Sequence, residues 1–223
     1  MKKSKKLFTV MRVSPGIYLC EFQSKRDLAL SFLRMQEYYE SPKFTGKIFT
    51  LSEFKTWYRT QKGRFSYGSD WSGFNIPGHI LKPFMEKKFS RPSELEKSLL
   101  DGIRKEVSKY QDPTDYESYY VIGVFGGGGD GTIEHEMAHA FFYTDNAYRK
   151  RVLEIVASIP SKRSLIKYLK KKGYGKSTVI DEIHAYLAVD LVDLKEDGIN
   201  VKPFAAASRE LQKLLSRRLR KVS

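Results

Sequence analysis

The chain has 223 residues, 41% of them apolar and 13% aromatic, and carries 40 Lys or Arg against 26 Asp or Glu, a formal net charge of +14. An apolar share of this size in a chain this long supports a sizeable core and excludes an intrinsically disordered protein. The one cysteine, Cys20, excludes an internal disulfide framework and points to a reducing compartment, and no run is long and apolar enough to span a bilayer.

Residues 1–6 carry the positive charge of a secretory leader. Arg12, Pro15 and Gly16 interrupt the apolar stretch such a leader needs, so a cytoplasmic protein is expected. Extended segments follow at 7–13 and 17–22. A helix is predicted over 24–39, with Leu28, Phe32, Met35 and Tyr39 on one face, and Ser41-Pro42 ends it. A second helix covers 52–61 with Phe54, Trp57 and Tyr58. The aromatic, glycine-rich stretch 65–78 reads as a structured loop over its own rings. A helix over 93–110 closes the first half.

The apolar run 119–125 reads as a buried strand. A glycine-rich connector, 126–131, leads from it into a helix over 132–143, with Thr132 as the expected N-cap. The connector lacks the Lys-Ser/Thr pair of a phosphate-binding loop, so it reads as a mobile rim. Beyond it nearly everything is helical: 146–159 with Asp145 as N-cap, 177–194, and 204–220.

The helix over 132–143 holds the most informative residues, His135-Glu136-Met137-Ala138-His139, an HExxH motif. Helical positions i and i+4 share a face, so two imidazoles can approach one ion, with Glu136 beside them to act on a bound water. The flanking Ile133, Ala140, Phe141 and Phe142 mark a buried helix, where two histidines without a shared ligand would each need an interior partner. Zn²⁺ with one open position wants a third protein ligand. Asp145 has the spacing of the extended HExxHxxGxxD pattern, but Phe142 stands where that pattern needs a turning glycine. Glu182, in Asp181-Glu-Ile-His-Ala-Tyr-Leu187, is the other candidate. His184 is a rival two residues away, pointing to a different helix face and better suited to partner a carboxylate.

HExxH followed some forty residues later by a helical Glu182-x-x-Ala185 resembles the gluzincin group of zinc metallopeptidases, over residues 119–194. The resemblance implies that Glu182 completes a His135, His139, Glu182 zinc site, and that Ala185 allows close helix approach. It also implies that the strand before the active helix lines the cleft and pairs with an extended peptide substrate. Such sites use a Tyr or His as oxyanion donor. Tyr186 shares a helix face with Glu182 and is favoured over Tyr143. The chain is too short for the added domains of larger gluzincins and reads as a minimal version.

The implied fold is α+β and zincin-like: one catalytic domain over 1–223, with an α+β lobe (1–131), a helical lobe (132–223) and the metal between them. The expected function is peptide hydrolysis by a zinc metallopeptidase with Glu136 as general base. Residues 149–176 hold ten Lys or Arg and only Glu154 as an acid, a face suited to nucleic acid or another polyanion, and 217–221 form a second basic cluster. That charge supports a second expectation, a basic nucleic-acid- or partner-binding protein with a structural or inactive zinc site. No membrane insertion is expected.

Overall fold

The computed structural model describes residues 7–71, 73–126, 130–172, 174–175 and 178–221. The charged start at 1–6, Gly127 to Gly129 of the expected rim, and Lys176 and Ser177 lie outside them. The chain has an α+β fold that divides into two compact units, Met1–Gly128 and Gly129–Ser223.

The first unit is built on a four-stranded sheet in the order β1-β2-β4-β3. Strands β1 (Phe8–Ser14) and β2 (Ile17–Phe22) form an antiparallel hairpin. Gly16, at φ 71, supplies the left-handed residue of its turn. Strand β4 (Tyr120–Phe125) lies parallel to β2 and antiparallel to β3 (Gly73–Pro77). The run Tyr-Val-Ile-Gly-Val-Phe is apolar throughout because it is central, with Val121 and Ile122 fully buried. This overturns the expected pairing of that strand with substrate. Both edges of β4 are already hydrogen-bonded, to β2 and to β3, leaving none for an added peptide.

Helix α1 (Lys25–Glu40) starts at Ser24, whose hydroxyl accepts from Asp27 N. Its apolar face covers the sheet, where Phe32 stacks on Phe74 at 5.3 Å. The ring also fills the space beside Gly123. Helix α2 (Leu51–Lys62) opens with a reciprocal capping box between Thr50 and Glu53. The predicted loop at 65–78 is instead a short helix, α3 (Tyr67–Asp70), followed by β3. Its rings do pack inward, since Tyr67 and Phe74 are buried. Helix α4 (Gly78–Met85) carries Pro83, and α5 (Glu94–Val107) is capped by Ser93 and Glu96. Glu96 also holds the buried Arg34 guanidinium through two hydrogen bonds, at 2.6 and 2.9 Å. Removing one partner of such a pair strands a buried charge and costs about 3–5 kcal/mol.

The second unit is helical: α6 (Asp130–Thr144), α7 (Asn146–Ser158), α8 (Arg163–Lys172), α9 (Val179–Ala188), α10 (Leu191–Glu196) and α11 (Ala205–Leu219). A 3₁₀ turn, Lys202–Phe204, precedes the last. Helix α6 begins at Asp130, so Thr132 lies in its first turn and is not the N-cap. Every residue from Glu136 to Phe141 is buried, because α7 and α9 pack against α6. The single helix expected over 177–194 is broken at Val189 and Asp190, which separate α9 from α10. No helix among the described residues is long and apolar enough to cross a membrane.

Candidate metal centre

The site is made entirely by residues of the second unit, on α6, α9 and the break after α9. One turn of α6 separates His135 from His139, which brings their Nε2 atoms to 3.1 Å of each other. Glu182, in the first turn of α9, faces them. Its Oε1 is 3.6 Å from His139 Nε2 and its Oε2 is 4.0 Å from His135 Nε2. One ligand atom from each of His135, His139 and Glu182 lies within 4.8 Å of the others, so the three can hold one metal ion. Ala185, fully buried one turn further along α9, presents only a methyl group in this helix pairing.

The chemistry of the donor set fits a cation. Glu182 is buried, and its Oε2 has no hydrogen-bond partner among the described atoms. An orphaned carboxylate oxygen in the interior is costly, and an ion between it and two imidazoles removes that cost. Burial raises the Glu182 pKa to about 7 against the pull of His139 and His135. Burial opposes charge on His139, yet Asp181, Glu182 and Glu136 outweigh it and raise its pKa to about 10. The surrounding carboxylates thus create a field that a divalent ion would satisfy in place of that proton.

The outer contacts were not anticipated from the sequence. Asp181 Oδ2 takes His139 Nδ1 at 2.9 Å, and Asp190 Oδ2 is hydrogen-bonded to His135 Nδ1. Each histidine is therefore held at Nδ1 by a carboxylate and turned so that Nε2 points inward. This carboxylate–histidine arrangement fixes tautomer and ring angle at metal sites. The available signal was local: Asp181, Glu182 and Asp190 crowd one short segment of a strongly basic half-chain. Asp181 reaches His184 as well, through Oδ1 and Nδ1 at 3.1 Å. Burial favours a charge-free Asp181, but its contacts with His139 and His184 hold its carboxyl well below the usual range.

His184 is thus a carboxylate partner. Its Nε2 meets the Tyr148 hydroxyl at 3.1 Å, and desolvation keeps its pKa low. Asp145 is engaged elsewhere. It accepts from Tyr148 N at 2.9 Å, capping α7, and from Arg218 Nε at 2.7 Å. Phe142, in the place of a turning glycine, stacks on the His184 ring at 5.4 Å.

Glu136 is buried one step round α6 from His135, and its charge acts on His139, Glu182 and Tyr174. Tyr186, one turn after Glu182, sets its ring 5.3 Å from that of His135. Its ring centroid lies 6.4 Å from that of Tyr174, whose neighbouring hydroxyl opposes the rise that burial causes in the Tyr186 pKa. Burial raises the Tyr174 pKa strongly, reinforced by Glu182, Tyr186 and Glu136, so it stays a neutral donor beside the carboxylates. Tyr143 is half-buried in the last turn of α6. Comparison with family models, with curated proteins and with solved structures returns no match.

Proposed function

We propose that the chain is a small zinc metallopeptidase of gluzincin type, with a zincin-like arrangement of its active helix. The observation that carries this reading is the convergence of His135, His139 and Glu182, with one Glu182 oxygen buried and unpartnered. Two imidazole nitrogens and a carboxylate form a donor set suited to zinc and leave a coordination position open. When bound there, Zn²⁺ activates a water at neutral pH and polarises a substrate carbonyl.

The protein's own groups supply the rest. Asp190 and Asp181 lock the two imidazoles in register, so no reorientation is needed as the reaction proceeds. Glu136 takes a proton from the attacking water and delivers it to the leaving amine of a peptide substrate. A hydroxyl from the Tyr186–Tyr174 pair donates to the developing oxyanion, with Tyr186 assigned that role and Tyr174 positioning it. Burial of Glu136 and Glu182 keeps bulk water from screening these charges.

The test is Glu136→Gln, which retains shape but removes the base. Zinc content after dialysis should equal that of the parent, while cleavage of a peptide library should fall by at least about 10²-fold, the scale of a lost general base. Cleavage equal to the parent would sink the proposal. Salt-sensitive nucleic-acid binding alone, with no peptide cleaved by either form, would favour the silent-site reading.

A further inference from the structure

The structure redistributes the basic charge seen in the sequence. In the dense 149–176 segment, several cations already have partners. Arg151 pairs with Glu154 at 3.0 Å and Glu210 at 2.8 Å, and Lys172 pairs with Asp197 at 3.3 Å. Lys162 Nζ donates to the Val156 and Ile159 carbonyls at the end of α7. Arg163, Lys167, Lys170 and Lys171 of α8 are exposed and lack a carboxylate in the described ion pairs, as the cations of α11 do, but on α11 the cations line a common groove. The buried face of α11 is Ala207, Ser208, Leu211 and Leu215, which leaves the opposite face outward. Arg209, Gln212, Lys213, Ser216, Arg217 and Arg220 line one shallow groove there, all exposed. The helix has a single acidic residue, Glu210, and Arg151 neutralises it. The described ion pairs leave Arg209, Lys213 and Arg217 without a carboxylate.

The geometry points to this stripe of α11 as a docking surface for the phosphate backbone of duplex DNA. At 1.5 Å rise per residue, Arg209 and Arg220 stand about 16 Å apart along the helix. At 3.4 Å per nucleotide along one strand, that is about five phosphates. Three of the four cations are arginines, whose planar forks match phosphate oxygens, and Gln212 and Ser216 add neutral donors. The stripe has no apolar residue to enter a bilayer, which a membrane-surface helix requires. It has no aromatic platform for unstacked bases, which single-strand binding uses. The groove of B-form DNA admits a helical ridge between its phosphate lips, whereas that of A-form RNA is too narrow.

Fluorescence anisotropy of the zinc-loaded protein with a mixed-sequence duplex, followed over a salt series, tests the assignment. Contacts by the three cations Arg209, Lys213 and Arg217 predict a log–log salt slope near −2.7, at roughly 0.9 per phosphate. The variant Arg209→Gln/Lys213→Gln/Arg217→Gln should lower that slope by about 2.7 and weaken binding at least about tenfold at 0.1 M salt. Arg163→Gln/Lys167→Gln/Lys171→Gln on α8 removes the same charge from another exposed face and should change binding less than about threefold. Equal losses in the two variants would reduce the effect to net charge and overturn the assignment. So would unchanged binding, or tighter binding to duplex RNA or anionic vesicles than to duplex DNA. Glutamine is a good helix former, so far-UV circular dichroism should match the parent. If the triple variant does not fold, Arg217→Gln alone must still lower the slope by about one.

Discussion

Asp190 and Asp181 do for the candidate metal centre what its inner residues cannot do alone. An imidazole ring can rotate about χ2, and either nitrogen can carry the proton. A carboxylate at Nδ1 removes both freedoms and makes Nε2 the better donor. Replacing Asp190 by Asn keeps the shape at His135 but loses the charge, and Asp181→Asn does the same at His139. Each should weaken zinc retention by about 10- to 100-fold, measured by competition with a chromogenic chelator. Glu182→Ala should cost more, because it deletes one of the three candidate ligands. Asp145→Ala supplies the contrast. It removes the α7 cap and the Arg218 contact, so it should lower stability by about 1 kcal/mol and leave zinc affinity unchanged. A drop in zinc affinity for Asp145→Ala would bring back the extended-motif reading.

Helix α9 and strand β4 show how an element acquires its role from its surroundings. The tight seat of β4 against α1 is visible at Gly123, where an added Cβ would sit 2.6 Å from Phe32 Cε2 and 2.9 Å from Leu28 Cδ1. Gly123→Ala should therefore destabilise the first unit by about 1–3 kcal/mol, read from the denaturation midpoint, because the neighbours are themselves packed core. An unchanged midpoint would mean that Phe32 swings aside freely. The periodicity of α1, the Asp145 cap of α7 and the HExxH spacing were legible because each depends on neighbours within a turn or two. Strand β3 was not, since Gly73, Phe74, Asn75, Ile76 and Pro77 carry loop-forming residues, and pairing with β4 makes them a strand. The break after α9 was equally hidden. Nothing local in Ala188-Val189-Asp190 demands it, yet it sets Asp190 against His135. His135, Glu136, His139 and Glu182 could be picked from the sequence because their residue types announce chemistry. Asp181, Asp190 and Tyr174 could not, because only the packing of α6 against α9 shows which carboxylates and hydroxyls face the histidines.

At the scale of the whole chain, the division into two compact units would give a bound metal a local thermodynamic signature. All three candidate ligands belong to the unit Gly129–Ser223, and they join α6 to α9, with His139 and Glu182 43 positions apart in sequence. Without an ion, the buried Glu182 oxygen lacks a partner, and any opening that separates the two helices relieves that cost. With an ion bound, the same opening must break the site. At a free concentration a thousandfold above Kd, binding adds about 4 kcal/mol to every opening that releases the ion. Hydrogen exchange should register this as slower exchange of amides in α6 and α9 on adding zinc. Openings within β1, β2 and β4 break no ligand contact, so their exchange should not change. Protection spread evenly over both units would show that metal binding is coupled to the entire fold. No added protection in α6 and α9 would mean that His135, His139 and Glu182 do not hold an ion together.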